Sequence, residues 1–337
     1  MKDIARATGV SQSTVSRVLS GRSSGVPIAI ETRERILGEA RRRKYRPNPL
    51  ASGLRGAPTK LIGVIVGEIT GPFMAAAMDA LSAEAAARGY NMVVGNARGH
   101  AEEALALGSV LETRHCDSIV LLGATRDRPL LLDDLLATGV PLVAMGQGLA
   151  LPGVFTVNVD NRSAITTVIR HLEDLGHHRI GFIAGHPLGD IPVRQATFVE
   201  LMRAMGHESP EDLVRVVEDD PGGGAAGLES LVARQPRPTA IVCATDTLAL
   251  GALNAAHRLG VRIPEEVSIT GFDDLFFAAF TTPPLTTVRF PIREMASVVV
   301  RQAIDSAGGA ERRKEHVVEA QFVARESSGP APRTSSR

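Results

Sequence analysis

Four polar residues near the amino terminus, Gln12, Ser13, Ser16 and Arg17, share one face of a helix if Val15, Val18 and Leu19 turn inward. Two hydroxyls, an amide and a guanidinium suit the edges of bases in a major groove. A second set of polar residues recurs just after apolar runs of strand length. Asp160 follows VNV, Asp246 follows AIVCAT, Asp273 and Asp274 follow SITGF, and Arg194 opens the helix after FIAG. Phe73 stands in Gly71-Pro72-Phe73-Met74, between the first apolar run and a helix. Ligands of open parallel sheets sit outside the carboxyl ends of the strands, so these are the positions to weigh. Aspartates accept from hydroxyls, arginine donates a planar fork, and an aromatic covers an apolar ring face. Together they suit a small polar molecule such as a sugar, sugar acid or nucleoside. Helix capping or domain packing is the alternative for Asp160 and Asp246.

The sequence has no G-x-S-x-G elbow, no G-x-x-x-x-G-K-[ST] loop, no Gly-rich dinucleotide loop after the first strand and no metal-spaced His/Cys set. Pro221-Gly222-Gly223-Gly224-Ala225 is glycine-rich, but Glu218-Asp219-Asp220 ahead of it makes poor company for phosphate. The expectation is a non-enzyme without metal or cofactor. A periplasmic-style binding protein and an architectural DNA protein with a vestigial pocket are the other readings weighed. Cys116 and Cys243 lie far apart beside apolar runs and read as buried thiols.

The elements that must position the amino-terminal residues are short. MKDIARATGVSQSTVSRVL holds two helical patterns joined at Gly9-Val10, with Gly9 where a turn needs φ > 0 and Ser11 placed to cap the second helix. This is a helix-turn-helix pattern. ETRERILGEARRRKY (31–45) reads as a third helix, stopped by Tyr45-Arg46-Pro47. Asn48-Pro49 is a good cap and first helical residue for a short helix through Leu54, one too short to be stable alone. Residues Met1–Lys60 carry 13 Lys+Arg and 4 Asp+Glu, so the zero net charge of the 337-residue chain hides a head of +9 on a body of −9. A basic head suggests that only this part meets a polyanion.

After Leu61, apolar strands alternate with helices. Strands are expected at 61–66, 91–96, 118–123 and 141–146, and the pattern repeats at 154–160, 179–185, 213–218, 240–245 and 268–274. Short connections between alternating elements imply an α/β protein with parallel sheets covered on both faces, one sheet per half. No apolar run is long enough to span a bilayer, and Lys2, Asp3 and Arg6 interrupt any apolar leader. A cytoplasmic, nucleoid-associated protein with no membrane partner is expected.

GVSQSTVSRVLSG, TRERI, YRPNPLASGL and LIGVIV together resemble the lactose-repressor (LacI/GalR) family of bacterial transcription regulators. That resemblance implies a helix-turn-helix domain (1–46), a hinge helix and linker (47–60) and a periplasmic-binding-protein-like core (61–327). The core's first subdomain would span 61–158 and 286–310, its second 159–285 and 311–327; residues 328–337 are expected to be a disordered tail. The resemblance implies a homodimer on double-stranded, pseudo-palindromic operator DNA. Gln12, Ser13 and Arg17 would read bases, and Thr14 and Ser16 would contact the backbone. Asn48, Leu50, Ala51 and Leu54 would form the hinge contact, Leu54 wedging a base step open. For a carbohydrate-like effector it implies Asp160, Arg194 and Asp273 first, then Phe73 and Asp246. Thr197 replaces the glycine of the family's R-x-x-G-F motif, Gly71 replaces the asparagine of N-P-F, and the 20–32 connection is longer than usual. The short tail has no leucine heptads, so a dimer rather than a tetramer is expected.

Overall fold

A computed structural model of the protein describes residues 1–20, 27–45, 58–113, 115–123, 128–146, 153–307 and 315–332. The chain forms two compact units, Met1–Thr59 and Lys60–Arg337.

The first unit holds α1 (Lys2–Thr8), α2 (Gln12–Ser20) and α3 (Ile30–Arg42). Ile4, Ala5, Val15, Val18, Ile36 and Ala40 form its core, so each helix contributes one apolar face. Gly9 ends α1 in the left-handed region at φ 65°, as the turn requires. The Ser11 hydroxyl accepts the Thr14 amide at 3.1 Å and starts α2. The expected hinge helix, with Asn48, Leu50, Ala51 and Leu54, lies outside the described residues.

The second unit is built on two parallel sheets. The first sheet comprises β1 (Leu61–Val66), β2 (Asn91–Asn96), β3 (Ser118–Leu122), β4 (Leu142–Met145), β5 (Phe155–Val159) and β11 (Glu315–Val318), in the order β11-β5-β4-β3-β1-β2. Helices α4 (Pro72–Ala87), α5 (Ala101–Thr113) and α6 (Arg128–Ala137) connect them, and α11 (Ile292–Ala307) packs against α4. Alternate strand residues serve two cores: Val64, Val120 and Val143 face one, Ile65, Ile119 and Leu142 the other. That two-sided burial is why the strands read as unbroken apolar runs.

The second sheet has β6 (Ile180–Ala184), β7 (Val214–Val216), β8 (Ala240–Cys243) and β9 (Ser268–Thr270), in the order β7-β6-β8-β9. Its helices are α7 (Asn161–Asp174), α8 (Ile191–Ala204), α9 (Pro221–Val232) and α10 (Asp246–Leu259). Helices α9 and α10 meet backbone to backbone. A Cβ on Gly224 would lie 2.0 Å from the Leu248 carbonyl oxygen, and one on Gly251 1.8 Å from that of Pro221.

Three features differ from the sequence expectation. Strand β5 does not begin the second sheet, because it pairs with β4 and β11 in the first. The run VVEAQFVARES (317–327) reads as a single last strand but forms parts of two: β11 extends the first sheet, while β12 (Gln321–Val323) pairs antiparallel with β10 (Thr287–Arg289), a strand the periodicity did not reveal. Residues 315–327 are therefore shared between the halves, rather than belonging to the second alone. Nor does a loose tail begin at 328. The Gly329 amide donates to Ser268 Oγ at 3.0 Å, the Ala331 amide to the Leu175 carbonyl at 2.8 Å, and Gly329 O meets buried His177 Nε2 at 2.9 Å. Polar side chains of the second half's interior supply the partners that hold this segment.

Candidate functional site

Two sites follow from this architecture, one in each unit. On α2, Val15 and Val18 are buried while Gln12 and Ser13 are exposed and Thr14, Ser16 and Arg17 half-buried. The expected separation of apolar and polar faces is therefore present. Ser11 holds the Ser13 and Thr14 hydroxyls at 2.7 and 2.9 Å, ordering the start of that helix. At the end of α3, Arg42 and Arg43 both bind Glu39, which holds that carboxyl down to about 2. Part of the basic cluster is thus compensated within the helix.

The second site is a cavity of about 650 Å³ where the carboxyl ends of both parallel sheets converge. The first half lines it with Glu68, Thr70 and Phe73, and with Arg98 and His100 after β2. The second half contributes His186 and Asp190 after β6, Arg194 on α8, Glu218–Asp220 after β7, Thr245 and Thr247 around the start of α10, and Asp273 after β9.

Arg194 organises the second half's wall. Its side chain is 3 % exposed, stands 3.5 Å over the Phe272 ring, and donates Nε–H to Asn161 Oδ1 at 2.8 Å and Nη1–H to the Ala244 carbonyl at 2.6 Å. Asp190 lies 3.6 Å and Asp273 3.7 Å from the guanidinium. Asn161 also donates to Asp190 at 3.0 Å. Asp273 and Asp274 have φ of 116° and 53°, values rare for aspartate and typical of positions held by their surroundings. The surroundings are visible: the Asp273 amide donates to Val288 O, and the Asp274 carboxylate binds Arg289 and Arg325. Burial pushes the Asp273 carboxyl well above the ordinary range; Arg194 opposes this, and Asp246, Asp219 and Asp190 add to it.

Of the five effector residues expected from sequence, the cavity gathers Phe73, Arg194 and Asp273. Asp160 instead caps α7, accepting the Ser163 amide at 2.9 Å, and its neighbour Asn161 is the residue that reaches Arg194. Asp246 is fully buried behind the wall, where it accepts the Leu275 amide and the Thr287 hydroxyl. Burial raises its carboxyl to about 7 against those two bonds. Sequence reasoning passed over Asp190 and Arg98, and weighed Glu218, Asp219 and Asp220 only as poor company for phosphate. They too stand just after strand ends, which was the available signal. Among the described residues, no group of His, Cys, Asp or Glu is arranged to hold a metal ion, and no helix is long and apolar enough to cross a membrane.

Residues 1–48 match the bacterial regulatory proteins of the lacI family, and residues 169–328 the periplasmic binding protein-like domain. The HTH-type transcriptional regulator GalS of Salmonella typhimurium is 31% identical over 313 residues, covering 92% of this chain and 90% of that protein. The chain belongs to the LacI family. It is a DNA-binding transcriptional regulator rather than an enzyme. This LacI-family regulator superposes on the structure of transcriptional regulator CelR in complex with cellobiose with a TM-score of 0.73, at 30% identity, over 96% of this chain and 98% of that one. Its fold is also that of a lac repressor dimer bound to operator and an anti-inducer (TM-score 0.86, 22% identity, 97% and 98% covered).

Proposed function

We propose that this regulator is a repressor that binds pseudo-palindromic operator DNA as a homodimer and changes its operator affinity when a small carbohydrate enters the cavity. It acts in the cytoplasm, at the nucleoid. The observation that carries the effector reading is the convergence of Arg194, Asp190 and Asp273 on one cavity that Phe73 also lines. Carboxylates accept sugar hydroxyls, and Phe73 offers an apolar ring face. The cellobiose bound by CelR is a ligand of that chemistry. Gln12, Ser13 and Arg17 read base edges, with Thr14 and Ser16 on the backbone. Asn48, Leu50, Ala51 and Leu54 make the hinge contact by family resemblance alone. For a homodimer, Phe276 and Phe280, 79 % and 83 % exposed, are apolar side chains that a second copy would cover.

The effector acts only through its different affinity for the two states of the protein. The test is to select binding sites from genomic fragments with the full chain, then titrate the complex with a panel of neutral mono- and disaccharides. A shift in DNA affinity with at least one sugar supports the reading. Operator binding indifferent to every sugar defeats the effector half of it.

A further inference from the structure

The charges of the cavity do not balance. Glu68, Asp190, Glu218, Asp219, Asp220 and Asp273 line it against two guanidinium groups, those of Arg98 and Arg194, and two imidazoles, those of His100 and of His186, which meets Glu218 at 2.9 Å. Both arginines are occupied by the protein. Arg98 makes a two-pronged pair with Glu103, both contacts 2.8 Å long. Arg194 gives its donors to Asn161 and Ala244 and then stands alone beside Asp190 and Asp273, with Asp219 close enough to feel its charge. One guanidinium thus faces three carboxylates, and His186 also acts on Asp219.

Two of those carboxylates have room for a partner. Asp273 is 94 % buried (6 % exposed) and lines the cavity, yet among the described residues its carboxylate accepts no hydrogen bond and its nearest cation is 3.7 Å away. Among the described residues Asp219 accepts a single bond, from the Thr245 hydroxyl at 3.3 Å. Asp219 is exposed on the cavity surface, where desolvation by the neighbouring walls raises its carboxyl, and full burial does the same for Asp273. A negative charge so placed is stabilised by a nearby positive one and opposed by another negative one, more strongly than in open water. No group of metal-ligating side chains among the described residues offers to bring that charge as an ion.

We propose that the cavity selects its carbohydrate by charge, preferring a sugar with a free amino group over the same sugar without one and rejecting its carboxylated counterpart. The ammonium lies against Asp273 and Asp219, supplying the cation this wall lacks. This inference rests on the reading of the cavity as a carbohydrate site.

The test uses the full chain and matched probes: glucosamine, glucose, N-acetylglucosamine and glucuronate, with chitosan disaccharide, cellobiose and N,N′-diacetylchitobiose as the longer set. Binding is measured by calorimetry at pH 6.5, where the amines are protonated. The amino member of a set is expected to bind about tenfold more tightly than its neutral parent, roughly one charge-assisted hydrogen bond. Its N-acetyl form, with the bulk but not the charge, loses that advantage, and glucuronate does not bind. Raised salt narrows the preference, and Asp219→Asn brings the ratio towards one. Neutral sugar bound as tightly as amino sugar, or glucuronate bound as tightly as glucose, overturns the charge selection while leaving the carbohydrate reading intact. Silence of every probe overturns both.

Discussion

Thr287 donates its hydroxyl to Asp246 at 2.5 Å, joining the first residue of α10 to the strand that leaves the second half for the first. Thr245 and Thr247, on either side of Asp246, face the cavity. A buried carboxyl therefore fastens a piece of cavity wall to a crossing segment, and its ionisation has a cost that depends on pH. Its folded-state pKa of about 7 lies above the ordinary value of 3.8, so the folded state holds the proton more tightly. The stability this contributes is complete below pH 3.8 and disappears as the pH rises through 7. Asp246→Asn should flatten this fall in melting temperature between those limits. It should also cost about 1–2 kcal/mol through poorer pairing with the Leu275 amide. An unchanged pH slope would show that Asp246 does not titrate in this range.

His177 predicts a slope of opposite sign. Burial lowers its pKa, and its ring is held between Thr239 and Gly329. Its contribution is present above the ordinary histidine pKa of 6.5 and is lost as the pH falls below it. His177→Gln should remove that acid-side loss and loosen the 328–332 segment, read as faster amide exchange at Gly329 and Ala331. Exchange rates that stay at the wild-type level would remove His177 from that role.

Arg194→Ala leaves Asp190 and Asp273 buried without their cation. The expected cost is about 3–5 kcal/mol at neutral pH. Arg194→Lys keeps a charge but not the fork that reaches Asn161 and Ala244, and is the milder variant. Both should retain operator binding and lose the effector response; a normal response in the lysine variant excludes the fork from the mechanism.

Arg17→Ala should relax preference at one base pair by about 1–3 kcal/mol while nonspecific binding persists. Uniform loss across all sequences, with a shallower salt dependence, would mark it as a phosphate contact.

Phe280→Asp should shift the full chain towards monomer in sedimentation and weaken operator binding, because two half-sites are then no longer held together. A variant still fully dimeric would move the interface elsewhere.

Much of the second unit was legible because its strands are buried on both faces. LIGVIV and SIVLLG announce themselves, and the predicted strands at 61–66 and 118–123 match β1 and β3 within a residue. Strand β10 was not legible and β12 only as part of one longer run with β11: each has three residues, with little period to read, and they pair across more than thirty positions of sequence. At the cavity, strand ends pointed to Arg194 and Asp273 correctly as lining residues. The same rule could not separate Asp160, whose carboxylate turns to the Ser163 amide, from Asp190, whose carboxylate meets Asn161. That choice depends on which way a side chain turns at a helix start, and spacing does not contain it.

The glycine contact between α9 and α10 bears on how such a regulator could acquire new ligands. Asp219 and Asp220 arrive just ahead of one helix, Thr245 and Thr247 at the start of the other, and neither Gly224 nor Gly251 has space for a methyl group. These two helices are inherited as a single plate. A duplicated descendant can exchange the residues carried on the plate's rim one at a time and explore neighbouring sugars. It cannot alter the plate's spacing by small steps, so the size of the opening would outlast many changes in what passes through it.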